Sequence, residues 1–342
     1  MSPPVRAALL IAGLVTAGLL VWQLSGVLLL VFASVLLAII LRSFAGLFER
    51  FTPLRAPWTL AVAGVLILAG AGTFLTVLGT QIYAQLADLV ANLPETLDDL
   101  GARVGIDDLR DRVTEQIEAI DTNGLAGSLA GYTFGAFDMA TTLLVVVVSG
   151  VYLAMSPSTY IKGAVQLFPS IARERVERAI NVSGGALKRW LLGQLISMTF
   201  VGVVTTLGLY LIGMPSALAL GLLAGLAEFV PLVGPIAASV PAILLALAQG
   251  GNTVVWVILL FLGVQQIDGN IVVPLVQKRA VKLPPALMLF SILSAGALFG
   301  IPGVILAVPM AVLVYVLVKQ LYIRDTLRED TPIPGQEGKQ DA

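Results

Sequence analysis

The chain has 342 residues, of which 58% are hydrophobic and 12% charged, with a mean hydropathy of +0.95 and a formal net charge of −1. Soluble domains carry about 25% charged residues, so this chain lacks the polar groups to cover a water-facing surface. Its long apolar runs, without strand-period alternation, predict an all-α polytopic membrane protein and exclude a β-barrel.

There is no Cys and no His. Disulfides, thiolate chemistry, the most common general base and the most common transition-metal ligand are therefore absent. No enzyme activity, metal site, cofactor or nucleic-acid partner is expected. No Walker motif is found, which argues against ATP-driven transport within this chain.

Apolar segments lie near 7–22, 26–41, 58–80, 139–155, 190–213, 216–249, 252–275 and 286–318. The first follows Arg6 and runs to Trp22. No small-residue cleavage site follows it, so it reads as an anchor rather than a secretion signal. The loops fix orientation, because Lys and Arg collect on the cytoplasmic side. Arg42, Arg50 and Arg55 mark one inside loop. Residues 156–189 form another, with Lys162, Arg173, Arg175, Arg178, Lys188 and Arg189 against Glu174 and Glu177. Lys278, Arg279 and Lys282 mark a third, and Lys319, Arg324 and Arg328 put the C-terminus inside with the N-terminus.

The stretch 81–138 is acidic and belongs outside. Its apolar positions recur at helical spacing (Ile82, Leu86, Leu89, then Leu97, Leu100, Val104), as in short amphipathic helices at the outer face. The acidic run is a solvated face or, alternatively, a vestibule that attracts cations. Asp138 reads as a charge at a helix N-terminus. The 156–189 loop also has helical character. It reads as one long helix that becomes the 190–213 segment, or as two helices broken at Gly184-Gly185.

Parity then constrains the last four segments. The 190–213 segment starts inside, so Gly213–Ala217 lies outside, while the Lys278 loop lies inside. The 252–275 segment crosses once, so 216–249 must cross an even number of times. A single helix over its 34 residues would span about 51 Å, against a hydrocarbon core of about 30 Å. Pro231, Gly234 and Pro235 interrupt it in the middle. The economical solution is a re-entrant hairpin entered from outside. The 286–318 segment starts and ends beside inside loops and is broken at Gly300, Pro302 and Gly303, so it reads as a second hairpin, entered from inside. The hairpins open on related phrases, "MPSALAL" (Met214–Leu220) and "LPPALML" (Leu283–Leu289). Each follows one crossing helix. The expected unit is therefore a transmembrane helix plus a re-entrant hairpin, present twice in inverted orientation, as in secondary transporters.

The resulting organisation has six parts. An N-terminal transmembrane scaffold (1–80) precedes the acidic extracytoplasmic region (81–138). A transmembrane helix and a cytoplasmic helix follow (139–189). Repeat 1 (190–250), repeat 2 (251–320) and a cytoplasmic tail (321–342) complete the chain.

Charged residues at membrane depth are functional by default. Glu228 sits just before the first tip, and Asp268 lies near the end of the 252–275 segment beside Gln265, Gln266 and Asn270. Glu228 could hold a proton or Na⁺, or accept from substrate hydroxyls; its structural alternative is to fix the tip. Asp268 with Asn270 could do the same, or mark an interfacial helix end. Gln194 and Ser197 could face the same cavity, or bond between helices. Candidate substrate- or ion-binding residues are thus Glu228, Asp268, Asn270, Gln266, Gln194 and Ser197. The hairpin tips are Pro231, Gly234, Pro235, Gly300, Pro302 and Gly303. H⁺ or Na⁺ is the candidate coupling ion. In the expected mechanism, the half with both hairpins moves as one body against the scaffold, in the manner of an elevator.

At "AEFVPLVGPIAASVPAILLAL" and "QQIDGNIVVPLVQKRAVKLPPALMLFSILSAGALFGIPGVILAVPMA" the sequence resembles the AI-2E (autoinducer-2 exporter) family of bacterial transporters. The matching residues are Glu228, Pro231, Gly234, Pro235 and Pro241, then Gln266, Asn270, Pro274, Pro284, Gly296, Gly300, Gly303 and Pro309. Asp268-Gly269 precedes Asn270 where many relatives carry Glu-Asn or Glu-Gly, which keeps the charge. The resemblance implies export of an autoinducer-2-like small polar solute or, in some members, Na⁺(Li⁺)/H⁺ antiport. It also implies a homo-oligomer, a pentamer, in the bacterial cytoplasmic membrane. A non-transporting membrane scaffold is the third class, and an intramembrane hydrolase is disfavoured by the missing His and the lack of a paired-carboxylate motif.

Overall fold

The computed structural model describes residues 22–51, 59–60, 62–65, 141–277 and 283–329, with isolated positions 16, 19, 72 and 331. The acidic region 81–138, the basic loop 278–282, the tail beyond 331 and most of 1–21 and 52–80 lie outside the described residues. Expectations for those stretches, Asp138 included, find no counterpart here.

The described residues form helices and turns, with no strand among them. In chain order the helices are α1 (Ser25–Phe51), α2 (Thr141–Met155), α3 (Pro157–Gln166), α4 (Ser170–Ile212), α5 (Ala217–Ala227), α6 (Val233–Gln249) and α7 (Thr253–Ile267). A π-helical turn, Asp268–Val272, carries α7 into α8 (Val273–Gln277). Finally α9 (Pro285–Leu317) ends in a second π turn, Val318–Arg324. Among the described residues four helices are long and apolar enough to cross a membrane, or five if α2 and α3, bent by 91°, count as one span. This is an all-α multi-pass membrane protein.

Helix α4 runs 43 residues without interruption through Gly184-Gly185. The structure therefore selects one long helix over two. Each glycine costs about 1 kcal/mol of helix propensity, but only a proline would remove a ladder bond, and none is present in α4.

Both interrupted segments fold back on themselves. Between α5 and α6 the break covers Glu228 to Leu232, and Leu232 has φ 72°. Gly234 and Pro235 lie in the first turn of α6, a few residues later than a tip centred on them would require. The first turn tolerates Pro235 because its N–H would have no acceptor there anyway. A Cβ on Gly234 would overlap the Ala227 carbonyl, so the two arms meet there with no room for a side chain. In α9 the break is Gly300, at φ 64° and ψ −148°. A Cβ on Gly303 would overlap the Ala295 carbonyl, and one on Gly296 would stand 2.9 Å from the Val304 side chain. Eight residues of straight helix would separate such partners by about 12 Å, so the chain reverses at Gly300. Pro302 and Gly303 belong to the start of the return arm.

The chain divides into two compact units. One takes 1–62, 142–191 and 279–342, hence α1, α3, the first half of α4, α9 and all but the first residue of α2. In it α9 packs on α1, and Gly150 of α2 lies close to Leu37 of α1. The other takes 63–141 and 192–278, hence the second half of α4 and α5 to α8. Its core joins Leu209, Leu220, Ala224, Ala242, Val257 and Val264. Buried small residues at every fourth position of α6 (Gly234, Ala238, Ala242, Ala246) let its backbone approach its neighbours. The two folded-back segments thus belong to different units. Within its own unit α9 finds its packing partner in α1.

Candidate functional site

Between Leu192 and Gln277 the only charged side chains are Glu228 and Asp268, and no Lys or Arg stands in that stretch. Both are buried, at 4% and 2% exposure. Their hydrogen-bond partners on the long helix α4, Gln194 and Ser197, stand three positions apart, which gathers the two acids into one cluster. The side chains that bond them, Gln194, Ser197 and Gln265, are all neutral.

Three elements bring the cluster together. Helix α4 supplies Gln194 and Ser197, three positions apart and so on one face. The C-terminus of α5 supplies Glu228. Helix α7 and its π turn supply Gln265 and Asp268, again three apart. Close approach of α5 to α4 sets the distance. A Cβ on Gly221 would overlap Thr206 Oγ1, and one on Gly225 would stand 2.7 Å from the Met198 carbonyl. This is the small-xxx-small device that lets membrane helices touch backbone to backbone. With Gly225 seated on α4, Glu228 falls beside Gln194.

The hydrogen bonds follow. Gln194 Nε2 donates to the backbone carbonyl of Glu228 at 2.5 Å. That carbonyl stands at the end of α5, where no intrahelical donor remains. Gln265 Nε2 donates to Glu228 Oε2 at 3.0 Å, and Ser197 Oγ donates to Asp268 Oδ1 at 2.8 Å. Each acid therefore receives one neutral donor. The π turn that begins at Asp268 is the kind of helix irregularity often found at functional sites.

Of the residues singled out in the sequence, the structure joins Glu228, Asp268, Gln194 and Ser197. It leaves out Gln266 and Asn270. Both are exposed, and Asn270 Nδ2 donates to the Gln266 carbonyl (2.9 Å) and to Gln266 Oε1 (2.8 Å). The physical reason is helical phase. Positions two before and two after Asp268 are turned by about 200° from it. The same rule points to Gln265, three before Asp268, as the partner that sequence proximity alone did not single out. The tip residues Pro231, Gly234 and Pro235 shape the turn after Glu228 and make none of these bonds. Gly300, Pro302 and Gly303 belong to the other unit. There the arms of α9 line a groove of about 360 Å³, walled by apolar residues such as Leu287, Ala295 and Val314. The groove holds no carboxylate.

A buried pair of carboxyls with only neutral donors suits a small cation or a proton.

Comparison with known proteins agrees with a transport role. A family model described as AI-2E family transporter matches residues 9–323. The chain is 28% identical over 273 residues to "Putative transport protein YrrI" of Bacillus subtilis, covering 76% of each chain. It is 26% identical over 295 residues to "Putative transport protein YueF" of the same organism, covering 80% of this chain and 78% of the relative. It is 25% identical over 232 residues to "Putative permease PerM" of Escherichia coli K12, covering 67% and 65%.

Proposed function

The chain belongs to the AI-2E family of transporters, and from that premise we propose that it is a secondary transporter whose Glu228–Asp268 pair binds the coupling cation, H⁺ or Na⁺. The solute is a small polar organic molecule carried outward across the cytoplasmic membrane, with an autoinducer-2-like signal the first to test. The observation that supports this most is the pairing of the two buried acids in a stretch with no basic residue. Two bare carboxylates at membrane depth are costly. A bound cation or proton offsets that cost, so occupancy by the ion is built into the stability of the site.

The break beside Glu228 interrupts the helix next to the cluster. In transporters with broken helices the backbone groups at such breaks face the substrate or the ion. Under this reading both folded-back segments are re-entrant hairpins of an inverted repeat, and an elevator-type movement carries the carboxyl pair with its own unit. The termini are cytoplasmic, and the protein works as a homo-oligomer, a pentamer by family resemblance.

A second reading is Na⁺(Li⁺)/H⁺ antiport with no organic solute. The neutrality of Gln194, Ser197 and Gln265 favours it, because the pair can serve a cation alone. Purified protein in proteoliposomes under imposed proton or sodium gradients separates the two. Organic solute efflux that follows the gradient supports the first; Na⁺ or Li⁺ flux that depends on pH without solute supports the second. Glu228→Gln and Asp268→Asn are each expected to slow the coupled flux about tenfold or more, equivalent to about 1.4 kcal/mol of lost binding. Unchanged flux in both variants removes the pair from the mechanism.

A further inference from the structure

Far along the chain from the carboxyl pair, the corner made by the end of α2, all of α3 and the start of α4 exposes an unusual mixture. Tyr152, Met155, Tyr160, Leu167, Phe168 and Ile171 are all exposed, Leu167 at 85% and Ile171 at 91%. Between and after them stand Lys162, Arg173, Arg175 and Arg178, against Glu174 and Glu177. We propose that this corner lies in the bilayer surface and binds anionic lipid headgroups, with its aliphatic and aromatic side chains in the acyl boundary.

Four observations carry the proposal. First, α3 leaves the apolar helix α2 at 91°. With α2 taken as the part that enters the bilayer, a helix turned by a right angle from it runs along the bilayer plane. Second, α3 sorts its side chains by phase. Tyr160 and Ala164 share one side, Val165 is buried against the protein, and the exposed Lys162 and Gln166 point away from Tyr160. This three-way division is that of an interfacial helix, with one face on protein, one in lipid and one in water. Third, the corner is held firmly. Arg173 donates from Nε to the Phe168 carbonyl (3.1 Å) and from a terminal nitrogen to the Gln166 carbonyl (3.4 Å). It thereby caps the end of α3 and ties it to α4, fixing Leu167 and Ile171 outward. Fourth, the charge is complementary. Arg178 is paired with Glu174 at 2.7 Å. Arg175 stands one turn after Ile171 on the same face of α4, so lipid around Ile171 brings its headgroup to Arg175. Lys162 can snorkel to the same level. The tyrosines at 152 and 160 match the aromatic belt found where membrane meets water.

The lack of cysteine in the chain makes the test direct. Single-cysteine variants Leu167→Cys, Ile171→Cys and Gln166→Cys of the full-length protein are labelled with a nitroxide. They are reconstituted in vesicles of phosphatidylcholine with one part in about three phosphatidylglycerol, a mixture with the anionic surface that attracts basic segments. The labels at 167 and 171 are expected to be reached by dissolved oxygen in preference to an aqueous nickel chelate, and the label at 166 the reverse. Labels at 167 and 171 reached by the nickel chelate, or by neither reagent, overturn the proposal; the second outcome would mean a covering protein surface. A bimane at Leu167→Cys reads the headgroup. Brominated phosphatidylglycerol should quench it more than brominated phosphatidylcholine, by up to about fivefold for each cation at the surface. Lys162→Glu with Arg175→Glu should abolish the preference. Equal quenching by the two lipids in the parent overturns the anionic recognition.

Discussion

The two folded-back segments use the same backbone device for different ends. The α5–α6 break carries an acid and joins a polar cluster, whereas α9 contains no charged residue across its 33 positions. Their backbones also differ. The α9 break places glycine at φ 64° and ψ −148°, a region essentially reserved for glycine. The α5–α6 break places Leu232 at φ 72° and ψ −48°, where a side chain is strained. One reversal is relaxed and chemically silent, while the other is strained and sits beside the buried acids. Strain tends to collect at sites that do something, and under the proposed function the α5–α6 turn is the working one.

The largest structural effect should come from prising either reversal open. Gly234→Val and Gly303→Val each thrust a side chain into a backbone carbonyl, and backbone cannot rotate away as a side chain can. Each should cost about 3 kcal/mol, the upper part of the range for overpacking, read as a lowered midpoint of thermal unfolding in detergent. The comparison sharpens if Gly234→Val also halts coupled flux in the protein that remains folded, since Ala227 immediately precedes Glu228.

The next two substitutions should have opposite signs. Gly300→Ala puts a Cβ at a backbone conformation that only glycine accepts, although the surrounding space is empty. The expected loss is about 1–3 kcal/mol. Leu232→Gly removes the strain at the other break and gives up little burial, because Leu232 is 48% exposed. It should raise stability by about 1 kcal/mol. If Leu232→Gly destabilises instead, the leucine side chain has a packing role in the membrane that outweighs its backbone cost, and the contrast between relaxed and strained reversals fails.

Much of this was legible in the sequence, and the rest was not for identifiable reasons. Hydropathy and loop charge located the apolar helices, because a membrane demands long uninterrupted backbone pairing. Pro231, Gly234 and Gly300 pointed to the two breaks. The register of the first was late, because Pro235 fits the opening turn of a helix as well as a tip. Glu228 and Asp268 stood out because charge is scarce in apolar helices. The assignment of α9 to the unit that holds α1 was not legible, because it depends on which helices touch. Gln265 could have been found, since its three-residue spacing from Asp268 was in view.

That last point yields the finest test. Ser197 and Asn270 are both small polar residues of nominally transporter-like segments, and proximity in sequence favours Asn270 as the partner of Asp268. The fold reverses the order: Ser197 donates to Asp268 in a buried site, while Asn270 bonds Gln266 on an exposed face. Removing Ser197 as Ser197→Ala leaves a buried carboxyl without its donor. Interhelical bonds of this kind contribute about 0.6 kcal/mol on average in membranes, so a threefold weakening of cation dependence is about the most to expect. Asn270→Ala exposes nothing buried and should stay within about 0.5 kcal/mol of the parent, as surface substitutions do. A cation titration of flux for the two variants, side by side, ranks them. If Asn270→Ala shifts the half-saturating cation concentration more than Ser197→Ala, helical phase is the wrong guide to this site and Asn270 reaches the ion by another route.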